Sequence, residues 1–258
     1  MVQKPSIQSL YCELRFNEQS LATATGFVVK TSIGQAFVTN RHNVTGRNNE
    51  TGDLLSKSGG TPNTIVIAHH MHDRLGGWLG KPQPLYSSNG SPLWREHPTL
   101  GAKADFVALP LRNTDDIDTF PYDLTDEPKM AIGPSDIVSV VGFPFGMSTG
   151  GLLPIWATGF VASEPQVRLN GSDLPIFYID CRSRRGQSGS PVIAHRTGGM
   201  VAMEDGGAAA FAGPVTRLLG IYSGRVNSES DIGIVWKTES IRELANSIVH
   251  LKNTQHRV

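Results

Sequence analysis

Apolar residues in this chain come in short β-rich runs: SLYCELRF (9–16), TGFVVK (25–30), QAFVTN (35–40), NTIVIAHH (63–70), DFVALPL (105–111) and DIVSVVGF (136–143). The series continues with IWATGFVA (155–162), PIFYID (175–180), SPVIA (190–194), LLGIYSG (218–224) and DIGIVW (231–236). Between them stand G-G, N-G, G-P and proline-rich breakers, the pattern of an all-β sandwich or barrel. No period suggests a repeat array. Only the end reads as a clear helix, over about 240–251. There Ser240 and Glu243 have capping-box spacing, and Ile241, Leu244, Ile248 and Leu251 form one apolar stripe that reads as a packing face. The turn-rich stretch 119–135 reads as a linker between two β halves, and the Gly-, Pro- and Ser-rich residues 74–103 as surface excursions within the first.

Composition narrows the class. The 258 residues suffice for one large domain or two small ones sharing an interface. With 28 glycines and 16 prolines, the chain is punctuated too often for long helices. Its 23 basic residues balance 23 acidic ones, so no net field draws it to nucleic acid or an anionic membrane. The N-terminal MVQKPSIQSLYCELRF lacks the apolar core of a secretion signal, and no apolar run is long enough to span a bilayer. The expectation is a soluble, cytoplasmic protein. Cys12 and Cys181, far apart in sequence, then read as free thiols in a reducing compartment rather than as a disulfide.

The candidate chemistry begins at RRGQSGSPV (184–192). G-x-S-G alone is weak, and the proline of G-x-S-G-x-P makes it a moderate signal. Support lies upstream. GQAFVTNRHNV is an apolar strand ending in a polar turn that delivers His42, and AKADFVALPL sets Asp105 at the start of another. His, Asp, Ser is one of the known chain orders for a nucleophilic triad. A serine hydroxyl is a poor nucleophile at neutral pH, so a base must take its proton during attack. His42 fits that role, with Asp105 fixing its tautomer. The backbone N–H groups of Gly186 and Ser188 can serve as an oxyanion hole, because glycine permits the dihedrals such a loop requires. Asp115, Asp116 and Asp118 are rivals to Asp105, but they sit in a polar run where a carboxylate would be solvated and mobile.

TGFVV, FVTNRH, DFVALPL, VVGFPFG, ATGFVAS, YIDCRSRRGQSGSPV, LLGIYSG and DIGIVW, in this order, resemble the trypsin-like (chymotrypsin-fold) serine proteases, close in style to bacterial trypsin-like peptidases. The resemblance runs from about residue 20 to the terminal helix. It implies two packed antiparallel β-barrels. The first, over 1–125, would carry His42 and Asp105; the second, over 126–258, would carry Ser188 and the C-terminal helix. It also implies a specificity pocket walled by Arg182, Ser183, Arg184 and Arg185, by Ser223, Gly224 and Arg225, and by Gly233. A buried guanidinium at Arg182 would favour an acidic side chain before the scissile bond. The alternative is that these arginines face solvent or pair with acids such as Asp180.

Departures from the family pattern matter. Gln187 stands where zymogen-activated members carry an aspartate that pairs with a newly cut N-terminus, so no proteolytic activation is expected. Ser190 replaces the usual second glycine after the nucleophile. The disulfides of secreted members are missing, and with no room for it after the helix, the peptide-binding module of the heat-shock type is not expected.

Other signals are set aside. His70 and His72 could share a strand face and ligate zinc, but no cysteine or glutamate stands close in sequence to complete a site. A glycan on Asn43 would block the proposed cleft. The expectation is a serine endopeptidase acting on protein or peptide substrates through an acyl-enzyme, without cofactor or metal, and restrained by narrow recognition or by a regulatory partner protein. One rival is a catalytically inactive protease-like scaffold that binds peptides. Another is an α/β-hydrolase, which requires G-x-S-x-G and the order Ser, Asp, His.

Overall fold

Strands that must be buried on both faces are written as unbroken apolar runs, whereas strands with one wet face alternate. The computed structural model, which describes residues 2–248 except 57, 58, 75 and 170, shows this chain using the first device at its centre. A short helix α1 (Lys4–Gln8) leads into β1 (Ser9–Phe16), β2 (Gln19–Thr31) and β3 (Gly34–Thr39). A one-turn helix α2 (Arg41–Thr45) follows, then β4 (Thr64–Met71), β5 (Trp78–Pro84), β6 (Val107–Pro110) and β7 (Ile117–Asp118). These strands form one antiparallel sheet in the order β5-β4-β1-β2-β3-β6, with β7 pairing on β4.

The second half supplies β8 (Ile137–Gly142), β9 (Ile155–Val161), β10 (Ile176–Asp180), β11 (Pro191–Arg196), β12 (Gly199–Ala202), β13 (Ala208–Phe211), β14 (Val215–Arg225) and β15 (Ile232–Lys237). Six of them close a barrel in the order β10-β15-β14-β11-β8-β9, while β12 and β13 form a separate hairpin. The helix α3 (Thr238–Ser247) follows β15. The fold is therefore mostly β, with a closed barrel, a second sheet and a small C-terminal helix.

Period-two alternation divides the apolar runs between two cores. On β2, Val28 enters the core of the first sheet, while Phe27 and Val29 face the second half. On β3, Phe37 goes inward, and Ala36 and Val38 go to the interface. The barrel mirrors this: Val140, Val192 and Val235 fill its interior, whereas Val141, Ile193, Ile221 and Trp236 meet the first half. The shared interface also takes Ile241, Leu244 and Ala245 of α3, the packing face the sequence predicted. Each fully buried side chain of this size is worth about 1.5–3 kcal/mol, so the apposition of the two halves is held by core, not by a few polar contacts.

Phe106 is fully buried there, its ring 5.6 Å from that of Trp236. Because it adjoins Asp105, the packing that joins the halves also fixes the start of β6. Phe106→Ala is expected to lower unfolding free energy by about 3–5 kcal/mol, read as a fall in urea midpoint.

Several expectations are corrected. The stretch 74–103 is not merely surface excursion. Residues Trp78–Pro84 pair along β4, and Leu85 and Trp94 are buried in the first core. Ser240 is not a helix cap, since α3 starts two residues earlier after Lys237 and Ser240 is buried inside it. Leu251 lies outside the described residues. Residues 119–135 contain no helix or strand beyond isolated bridges at Tyr122 and Met130. Cys12 and Cys181 are both buried and free, and burial raises both thiol pKa values, that of Cys181 to about 11. No described helix is long and apolar enough to cross a membrane.

Candidate active site

The strand β3 ends at Thr39, and after Asn40 the residues Arg41–Thr45 turn once as α2 before Gly46, at φ 64°, closes the turn. His42 sits in that turn. The Asn40 side chain does not cap the helix; its amide donates to the Asp105 carbonyl (2.6 Å) and so ties the turn to the start of β6. Asp105 is 7% exposed, and its carboxylate accepts three hydrogen bonds. The His42 backbone N–H donates to Oδ1 (3.0 Å), His42 Nδ1 to Oδ2 (2.7 Å) and Ser223 Oγ to Oδ2 (2.5 Å). A carboxylate only accepts, so Nδ1 carries the proton and Nε2 of the neutral ring is left as an acceptor. The rival acids are engaged elsewhere or solvated: Asp116 pairs with Lys81, Asp118 with His72, and Asp115 is exposed.

Ser223 joins the two halves of the site. A bulge in the β14–β15 pairing leaves it unpaired between Tyr222 and Gly224, and bulges re-aim side chains in this way. Its hydroxyl goes to Asp105, and its carbonyl accepts from Ser188 Oγ at 3.5 Å. Ser188 and His42 make no direct hydrogen bond among the described residues, and the long contact to Ser223 leaves the Ser188 hydroxyl free to turn. Asn43, next to His42, donates to the Ser188 carbonyl (3.4 Å).

The serine loop is shaped by two glycines. Gly186 has φ +93°, and a Cβ there would stand 2.3 Å from the Phe143 carbonyl oxygen. Gly189 has φ +88°, and its Cβ would stand 2.0 Å from the Thr25 oxygen. Any side chain at either position would have to displace backbone. Both peptides around Gly186 are pinned: Phe145 N–H donates to the Arg185 carbonyl (2.6 Å) and Thr25 Oγ1 to the Gly186 carbonyl (2.8 Å). In a trans peptide the N–H points opposite to the carbonyl, so fixing Arg185 O also aims the Gly186 N–H. The N–H groups of Gly186 and Ser188 have no acceptor among the described residues.

Gln187 is fully buried, and its Oε1 accepts from the Arg184 N–H (2.7 Å), which holds the turn without an ion pair. Ser190 donates its N–H to the Gln187 carbonyl and accepts from the Tyr222 N–H, so the loop keeps its backbone bonds with serine at this position.

The family model of the trypsin-like peptidase domain matches residues 24–203. The chain belongs to this family. No curated protein matches its sequence. Among solved structures, the active form of the Rv3671c protease from M. tuberculosis superposes with TM-score 0.54 at 16% identity, covering 95% of this chain and 83% of that one. An inactive form of Rv3671c gives 0.51 at 16% identity, over 96% and 90%. The HtrA-type protease AlgW with tripeptide gives 0.51 at 13%, over 91% of this chain and 57% of AlgW. At these identities the likeness speaks for the fold, the trypsin-like protease fold.

Beside the trypsin-like site runs a groove of about 920 Å3. His42, Asp105, Ser223, Gly224 and Arg225 line it, together with Lys103, Asn48 and Trp236. The residues named from sequence as a specificity pocket part company. Ser223, Gly224 and Arg225 face this groove, while Ser183 and Gly233 turn toward Tyr222. Arg182, Arg184 and Arg185 are exposed, with Arg184 3.3 Å from Asp231, so no guanidinium forms a buried floor. His70 and His72 form no metal site, since His70 Nε2 bonds the Ile7 carbonyl and His72 pairs with Asp118. No group of metal-ligating residues stands together among the described residues.

Sequence reasoning missed Thr25, Tyr222 and the bond from Ser223 to Asp105. Thr25 had a faint signal, as a lone hydroxyl heading the apolar run TGFVV. The other two depend on a bulge that no local pattern announces.

Proposed function

We propose that this chain is a serine endopeptidase that hydrolyses peptide bonds through an acyl-enzyme. Ser188 Oγ attacks the scissile carbonyl as its proton passes to His42 Nε2. Asp105 holds the ring and stabilises the imidazolium, and the N–H groups of Gly186 and Ser188 receive the oxyanion. The imidazolium then protonates the leaving amine, and water, activated by the same histidine, releases the acyl group. The observation that carries this reading is the hydrogen-bonded chain His42–Asp105–Ser223–Ser188, which crosses both halves of the fold beside two unengaged N–H groups. The missing His42–Ser188 bond is compatible with it, because catalytic hydrogen bonds of unliganded sites tighten on substrate binding.

The same gap favours the second reading, a protease-like scaffold that binds peptides without cutting them. A fluorophosphonate separates the two. Covalent labelling of wild type, lost in Ser188→Ala, is expected for the enzyme, and no labelling for the scaffold. Labelling without N-terminal trimming is also expected, since Gln187 and Thr25 hold the loop without a terminal amine.

Thr25 gives a second check on the mechanism. Its hydroxyl donates to Gly186 O and accepts from Phe143 N–H (3.1 Å), and its own N–H donates to Ser188 O (3.0 Å). Thr25→Val keeps the shape and drops the hydroxyl. It is expected to lower kcat about 10–100-fold with KM little changed, and Thr25→Ser to restore it. Substrates are proteins or peptides lying in the 920 Å3 groove. Two buried free thiols fit a reducing, cytoplasmic setting, where narrow recognition or a regulatory partner protein would restrain the activity.

A further inference from the structure

Resting on the endopeptidase reading, we propose that Tyr222 fills the recess beside Ser188 and limits the enzyme to substrates with a small side chain (glycine, alanine or serine) on the acyl side of the scissile bond.

The family resemblance places the side chain of a carbonyl held by the Gly186 and Ser188 N–H groups between residues 182–185 and the strand through Ser223. That space is occupied. Tyr222 immediately precedes Ser223 on β14 and is 3% exposed. Its ring lies on Gly233, where a Cβ would stand 2.7 Å from the ring edge, and its hydroxyl hydrogen-bonds Ser183 Oγ. Ser183 is fully buried between two exposed arginines and belongs to the opposite wall. The aromatic ring therefore spans from one wall to the other and closes the depth of the recess.

The ring cannot swing clear cheaply. Its backbone N–H donates to the Ser190 carbonyl (2.9 Å) and its carbonyl accepts from Gly189 N–H (3.0 Å), so Tyr222 is tied to both residues that follow the nucleophile. Ile179, Cys181 and Val235 share its core cluster. Burial raises the phenol pKa to about 12, which keeps the hydroxyl protonated and bonded to Ser183 through the neutral range. A Phe, Leu, Lys or Arg side chain would have to expel a hydrogen-bonded aromatic ring from close-packed surroundings, whereas a methyl or hydroxymethyl group needs only the mouth.

The test uses peptidyl diphenyl phosphonates, in which a reactive serine oxygen attacks phosphorus and expels phenol to leave a phosphonylated serine, and which differ only in the residue next to phosphorus, alanine or phenylalanine. Wild type is expected to react about 100-fold faster with the alanine probe. Tyr222→Ala, which opens the recess, is expected to level or invert that ratio, and Tyr222→Phe, which keeps the ring, to preserve it. Equal rates, or faster reaction with the phenylalanine probe, in wild type overturn the proposal, as does an unchanged ratio in a folded Tyr222→Ala. Should that variant fail to fold, the wild-type ratio still decides. A wild type that a small fluorophosphonate also leaves unlabelled overturns the endopeptidase reading itself, a result distinct from labelling with the wrong preference.

Discussion

Ser188→Ala is expected to lower peptide hydrolysis by about 10⁶-fold in kcat while leaving the thermal midpoint within a degree or two. The two halves of that expectation have different origins. The rate falls because no other group stands ready to attack. Asp105 is committed to His42 and Ser223 to Asp105, and what remains after the substitution is only the field of the Gly186 and Ser188 N–H groups on a bound carbonyl. Stability barely moves because the lost hydroxyl makes a single 3.5 Å contact to the Ser223 carbonyl, while the bonds that shape the loop, from the Thr25 N–H and the Asn43 side-chain amide to Ser188 O, do not involve it. Hydrolysis of a peptide pool, followed by counting new termini against wild type, reads the first half, and a melting curve reads the second. A variant that kept appreciable activity would remove Ser188 as nucleophile. One that lost activity together with ten degrees of stability would show the hydroxyl serving the fold instead.

What the sequence made legible follows from how far each signal travels along the chain. Short-range signals read well. Every β-rich run between SLYCELRF and DIGIVW falls in a strand, because period two and flanking breakers are local properties. The same runs carried the two-sided burial that joins the halves, visible as unbroken stretches such as GFVV and AFVT. Weakly apolar strands were missed. Trp78–Pro84 carries two prolines and belongs to β5 only because β4 offers it an edge, and the alanine-rich β13 exists only as the partner of β12. The helix start was misplaced because Ser240 has the chemistry of a cap, yet the helix begins as soon as β15 releases the chain after Lys237. Within the site, His42, Asp105 and Ser188 stood out because each sits at a marked join of apolar and polar pattern. Arginine-rich RSRR suggested a charged pocket, but a guanidinium is costly to bury unpaired, and all three arginines face outward. The residue that does occupy the recess, Tyr222, looks in sequence like any apolar strand position. Its inward turn is set by the bulge at Ser223 and by the distant Ser183.

The sharpest test of the Asp105 assignment is a change of one atom. Asp105→Asn is expected to lower kcat about 10⁴-fold near neutral pH, with KM much less affected. The aspartate accepts from three donors converging on two oxygens: the His42 N–H, His42 Nδ1–H and the Ser223 hydroxyl. An asparagine has one acceptor oxygen and brings an NH2 group that only donates. If its oxygen takes the place of Oδ1, the NH2 faces Nδ1, which must then give up its proton to accept. The proton moves to Nε2, and the ring loses its capacity to take one from Ser188. If the amide flips, the backbone N–H of His42 faces a donor and α2 loosens. Either way the fold survives, since the packing of Phe106 against Trp236 and the tie from Asn40 to the Asp105 backbone carbonyl do not depend on the carboxylate. Asp116→Asn, in the exposed pair with Lys81, is expected to leave kcat unchanged. The contrast between the two variants, measured on the same peptide and with fluorophosphonate labelling rates, isolates the buried carboxylate. Full activity in Asp105→Asn would mean that the imidazole is oriented by some other group, and the role given to Asp105 would have to be abandoned.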